Sequence, residues 1–197
     1  MRRRCRWLGL GLALAVAVLP AAGRERQPSA EELTNFQLGP ELARWLVGPL
    51  ARLASAEERA EYLRLADDAA AEGFIAAFWE RRGGIRPFPP TPGYLFAQRV
   101  AEADVLYRDG HHLGHRTDQG TIYVLYGPPA ATRFEASPSP GGEPVEIWLY
   151  AKDAPPGLDG ESPKGLYSFR REEDGVTRFY NVPVRRRLIS LEDSVRE

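Results

Sequence analysis

Apolar residues recur at helical steps through the first half of the chain and alternate like strands in the second. From Asp67 or Asp68 to about Arg82, residues Ala71, Phe74, Ile75, Phe78 and Trp79 lie at i, i+3, i+4, i+7 and i+8. That spacing predicts a helix with one stripe against a core. Ser55-Ala-Glu-Glu58 is a capping box and predicts a shorter helix from Ala56 to about Ala66. Phe96, Val100, Ala103 and Tyr107 predict another helix over Tyr94–Arg108. Leu42, Trp45, Leu46, Leu50 and Leu53 keep helical spacings, but Gly48-Pro49 interrupts them. A short helix followed by an irregular piece is expected there.

The second half reads as strands. Ile122, Val124 and Tyr126 alternate with Tyr123 and Leu125, all apolar or aromatic, so Thr121–Tyr126 is expected to be a central strand closed by Gly127-Pro128-Pro129. Val145–Tyr150, Gly165–Arg171 and Val176–Val182 follow, with Asp174-Gly175 as a hairpin signal before the last. Helices precede strands without βαβ alternation. The expected fold is therefore α+β, with N-terminal helices packed on a C-terminal antiparallel sheet of about four strands. Arg86–Gly93 carries four prolines, including the P-x-x-P spacing of Pro89 and Pro92, and is read as a rigid connector.

The amino terminus has a different pattern. Arg2, Arg3, Arg4 and Arg6 precede an apolar run from Trp7 to Leu19, and Ala21-Ala22-Gly23 supplies small residues for a cut before Arg24. This is the three-part form of a secretory signal peptide over residues 1–23, with an apolar run short for a membrane span. Cys5 precedes the apolar run, where a lipid-bearing cysteine would follow it. The expected location is periplasmic or secreted, with no transmembrane segment in the mature chain. Residues 24–39 read as a polar linker, 40–184 as one domain and 185–197 as a polar tail.

Composition narrows the chemistry. Of 197 residues, 43% are apolar and 27% charged, as in an ordinary globular protein. The leader holds four arginines and no acid, so the mature chain sets 22 basic against 27 acidic residues. That balance, with no basic-aromatic stretch, argues against nucleic acid. Cys5 is the only cysteine, so the mature chain is expected to lack disulfides and cysteine metal sites.

Several ordered pieces resemble one family. Phe74-Ile75 with Phe78-Trp79 and Arg82 resemble an F-I-x-x-F-W-x-x-R helix. Thr91-Pro92 resembles the T-P before the next helix, and Arg99-Val100 and Ala103-Asp104 its R-I and A-N positions. Gly114, Thr117 and Asp118 match a G-W-x-T-D motif, followed by Gly120 and Ile122–Pro129, which holds the G-x-P turn of Gly127 and Pro129. Glu146-Ile147-Trp148 with Tyr150 is similar to a second strand signature. Over residues 41–182 the chain thus resembles the bacterial GWxTD-domain proteins. His115 stands where that family has tryptophan, and Gly83 where it has the Asp of an R-D-P triplet. The family has no assigned activity. The resemblance implies an exported or envelope-associated α+β domain and transfers no reaction.

Thr117-Asp118 is the most pointed polar pair. It could contact a ligand or partner, but acceptors beside a glycine ordinarily hold their own backbone, and that reading is preferred. His111 and His115 with Asp118 could supply three zinc ligands, yet nothing in the sequence fixes their geometry, so no metal or cofactor is expected. Glu57/Glu58 and Asp67/Asp68 sit where helix N-termini favour acids. No nucleophile elbow or phosphate loop is present. The expectation is an exported interaction module that contacts another envelope or secreted protein through the Gly114–Asp118 turn. The alternative is a hydrolase or small-ligand-binding protein using Asp118 with Arg99 or a nearby histidine.

Overall fold

The computed structural model describes residues 28–137 and 141–180. The leader, Cys5, the end of the last expected strand and the 185–197 tail lie outside them. The fold is α+β: six α-helices occupy the first two thirds of the described chain and a four-stranded antiparallel sheet, ordered β1-β2-β3-β4, follows.

Helices α1 (Pro40–Ala43) and α2 (Leu50–Leu53) flank the Gly48-Pro49 break. Helix α3 (Ala56–Tyr62) starts at the predicted capping box: Ser55 Oγ accepts the Glu58 amide, and Glu58 accepts the Ser55 amide. Asp67 caps α4 (Asp68–Glu80) by accepting the Ala70 amide at 2.8 Å. Phe74, Phe78 and Trp79 are buried as their stripe predicts, and Trp45 packs edge-on against Phe74 and Phe78. Arg82 continues that helix's role as a tie. It lies 3.6 Å over the Phe78 ring, pairs with Glu58 at 2.8 Å and donates to the Leu53 carbonyl, so one guanidinium joins α2, α3 and α4.

Residues 29–39 are more than a linker. Leu33, Asn35 and Leu38 are buried in this N-terminal core, and Asn35 Nδ2 donates to the Tyr62 and Leu65 carbonyls at the end of α3. The segment lacks periodicity because it packs through single residues rather than through a regular face.

Helix α5 (Pro92–Leu106) carries Phe96 into the N-terminal core and Ala103 into a second core against the sheet. A short 3₁₀ turn (Gly114–Arg116) then leads into α6 (Asp118–Tyr126). Thr121–Tyr126 is thus helical, contrary to the expected strand. Thr117 Oγ1 accepts the Gly120 amide at 3.0 Å and caps the start. At the end Gly127 takes φ +78°, and Arg99 donates to the Val124 and Leu125 carbonyls. These caps outweigh the β-preference of Ile, Val and Tyr, and Ile122, Val124 and Leu125 are wholly buried. A helix apolar on all sides is a buried one.

The sheet starts later than the sequence indicated, at Ala131 rather than Thr121, and its first strand is one the sequence did not mark. β1 (Ala131–Glu135), an exposed edge strand, pairs with β2 (Val145–Leu149), which pairs with β3 (Leu166–Arg171). β4 (Thr177–Phe179) closes the order. Trp148, Tyr167 and Phe169 lie on the face that packs against α5 and α6. β2 and β3, not residues 121–126, are the central strands.

Candidate functional site

The motif residues lie where α5, the 3₁₀ turn and α6 stack with almost no room. A Cβ on Gly114 would sit 1.8 Å from the Ala103 carbonyl oxygen of α5, and one on Gly120 would sit 1.8 Å from the Gly114 carbonyl oxygen. Only hydrogen fits at either place, so these glycines let three backbone segments touch. Thr117 is buried and doubly used: its hydroxyl donates to the Gly114 carbonyl and accepts the Gly120 amide. Asp118, at the first position of α6, accepts the Phe179 amide of β4 at 2.7 Å and so ties the helix to the sheet edge. Burial raises its pKa, opposed by that hydrogen bond and by the charges of Arg178 and Arg52.

His115 is likewise committed. Its amide and its Nδ1 both meet Asp104 Oδ1, at 2.9 and 2.8 Å. That bond joins the turn to α5. His111 and His112 are exposed on the preceding loop. Among the described residues, no group of three or more His, Cys, Asp or Glu is placed to hold a metal ion.

Arg99 lies at the opposite end of α6 from Asp118. A helix rises about 1.5 Å per residue, so more than a turn and a half separates the carbonyls Arg99 holds from the Asp118 carboxylate. The two residues paired in the alternative sequence reading are therefore not brought together. Gly127 stays with Arg99: a Cβ on it would crowd Arg99 Nη2 at 3.2 Å, and its carbonyl accepts the Tyr150 hydroxyl; half-buried Pro129 follows and leads into β1.

A cleft of about 640 Å³ opens beside the motif, walled by the 30–47 segment, the 111–118 loop and turn, and β4. Phe36, Val47 and Leu113 give it an apolar lining, and Arg44, Arg116 and Arg178 a basic one. Arg178 is committed to Asp174, with two contacts of 2.9 and 2.7 Å. Arg44 and Arg116 have no ion pair or side-chain hydrogen bond among the described residues, and Arg116 Nε is their one buried side-chain nitrogen or oxygen without a partner. Burial lowers the Arg116 pKa; the nearby charge of Arg44 adds to this and Asp104 opposes it. Glu31 and Asp118 also line the cleft, whereas Arg99 does not.

Arg44, Arg116 and Phe36 were missed from the sequence. They come from separate segments and meet only in the folded chain. In a protein whose basic residues are nearly all arginine, two more carry no signal. Compared with protein-family models, curated proteins and solved structures, the chain matches none. Among the described residues no helix is long and apolar enough to cross a membrane.

Proposed function

We propose that the chain is an exported, GWxTD-like module that binds another envelope or secreted protein, with the cleft beside the 111–118 turn as its contact face. Export rests on the leader, with its arginines, its apolar run and Ala21-Ala22-Gly23. The family likeness rests on the motif residues, of which Gly114, Thr117 and Gly120 form one tightly packed joint. A binding role is favoured over catalysis because the polar residues of that joint are occupied. Thr117 caps α6, Asp118 holds β4, His115 holds Asp104 and Arg99 closes the far end of α6.

The observation that carries the reading is the cleft itself. Two arginines without ion pairs among the described residues, Arg44 and Arg116, line it beside Phe36, Val47 and Leu113, a basic and apolar wall that suits a bound partner. The test is affinity capture by the purified, tagged protein from its own cell envelope, with mass spectrometry of what is retained. A specific, saturable partner is expected; a blank capture at physiological salt overturns the reading.

One observation favours a second reading, a small-ligand binder or hydrolase using Asp118 with His111 or His112. Asp118 lines the same cleft and burial raises its pKa. Its Oδ2 already takes the Phe179 amide, which leaves it less free to act on a ligand. A ligand screen in which Asp118→Asn alone abolishes binding or turnover, with folding intact, would favour this second reading.

A further inference from the structure

We infer that the cleft takes an acidic, partly apolar peptide segment of the partner, with a carboxylate held between Arg44 and Arg116. The inference rests on the binding-module reading and specifies the chemistry of its ligand.

The side chains of Arg59, Arg82, Arg99, Arg133 and Arg170 each have a carbonyl or carboxylate partner, whereas those of the exposed Arg52, Arg64, Arg86 and Arg108 have none among the described residues. What sets this pair apart is the cleft the two line together and the burial of Arg116 Nε. Arg116 is more confined than an ordinary surface arginine, because the turn that carries it is pressed between α5 and Gly48. A Cβ on Gly48 would meet the His115 carbonyl at 3.1 Å and Arg116 Cα at 3.4 Å. Its backbone position is therefore fixed, its side chain lines the cleft, and its Nε is buried without a partner. Arg44 approaches from the other wall, and like charges held together are unfavourable unless an anion sits between them. Guanidinium groups match carboxylates in geometry as well as in charge.

The rest of the lining favours a peptide over a bare ion. Phe36, 76% exposed, stands with Val47 and Leu113 along the cleft and offers apolar contact that inorganic anions cannot use. The amides at the start of α6 do not form a phosphate cradle, because the Gly120 amide already donates to Thr117. Arg178 adds positive charge at the β4 wall while pairing with Asp174, and three guanidiniums face the two carboxylates of Glu31 and Asp118.

The test is fluorescence anisotropy with the purified protein and a labelled, amidated octapeptide of alternating leucine and glutamate. The leucine-glutamine peptide is the neutral control and inorganic phosphate the bare-anion control. The acidic peptide is expected to bind about tenfold or more tighter than the neutral one, and Arg44→Gln/Arg116→Gln to remove that preference with an unchanged melting midpoint. Arg44→Glu, on an exposed side chain, provides a second variant that leaves the core untouched and is expected to reverse the preference. Equal binding of the two peptides, no binding of either, full retention by the variants, or binding of phosphate without the acidic peptide would each overturn the inference. If envelope capture yields a partner that the double variant still retains, this inference fails while the binding-module reading survives; a blank capture removes the reading itself.

Discussion

Replacing Gly120 with alanine should destabilise the protein, although the same change in an ordinary helix interior stabilises by about 1 kcal/mol. The new Cβ would lie 1.8 Å from the Gly114 carbonyl oxygen, 2.6 Å from its carbon and 3.0 Å from His115 Cα, well inside ordinary contact. All three are backbone atoms, and Gly114 is itself pressed on the Ala103 carbonyl, so the turn cannot retreat. The strain must be relieved by lifting α6. That exposes part of Ile122, Val124 and Leu125, side chains whose full burial is worth about 1.5–3 kcal/mol each. Overpacking of this kind costs about 1–3 kcal/mol or more, which exceeds the gain in helix propensity. A net loss of about 2 kcal/mol corresponds to a fall of about 4–8 °C in the melting midpoint for a chain of this size. Gly73 is the control: it is exposed in α4 with nothing within 4 Å of its Cβ position. Gly73→Ala should raise the midpoint by about 2–4 °C. Thermal and urea unfolding followed by circular dichroism would measure both. A Gly120→Ala protein that melts at or above the parent would refute the close α6–turn contact.

Three further outcomes follow from the same geometry. Burial raises the Asp118 pKa, so its ionisation costs stability as pH rises from the unfolded value through the folded one. Asp118→Asn keeps an acceptor for the Phe179 amide without the charge and should melt at least as high as the parent at pH 7. Asp118→Ala should lose about 1 kcal/mol, and equal melting of the two variants would remove the hydrogen bond from the account. Burial opposes ionisation of Glu58, but Arg82, the Ser55 amide and Arg81 bring its pKa down from 4.5 to about 2. Its contribution is therefore present above pH 4.5 and lost as pH falls toward 2, so Glu58→Gln should flatten the acid limb of a stability–pH profile in that window. Arg99→Ala should cost about 1–3 kcal/mol by uncapping α6, with no effect on peptide binding at the cleft; a binding loss at unchanged stability would return Arg99 to the functional site.

Much of the helical half was legible because its signals are local. Ser55 and Asp67 are caps readable within four residues, and the stripe through Phe74 and Phe78 has one period only. β2 and β3 were legible from alternation. Residues 121–126 were not, because a short, wholly apolar run buried on every side carries no period, and Ile, Val and Tyr favour strands. The cue that decided the outcome was Thr117 as a cap with Gly127 closing the far end. β1 was passed over because all five of its residues are exposed, so it has no inward face to set a pattern. For the site, the sequence picked out Thr117 and Asp118 and preferred a backbone role for them, although the backbone they hold is a helix and a strand edge rather than a tight turn. The Arg44–Arg116 pair was invisible because it exists only once the 30–47 segment folds against the turn.

The most direct test of the binding-module account is site-specific photo-crosslinking in the cell of origin. A photoreactive residue at Phe36, 76% exposed on the cleft, is compared with one at Val105, 82% exposed on α5 away from it. A discrete adduct with one envelope or secreted protein is expected from position 36 and none from position 105. No adduct at position 36, or the same adducts from both positions, would contradict it.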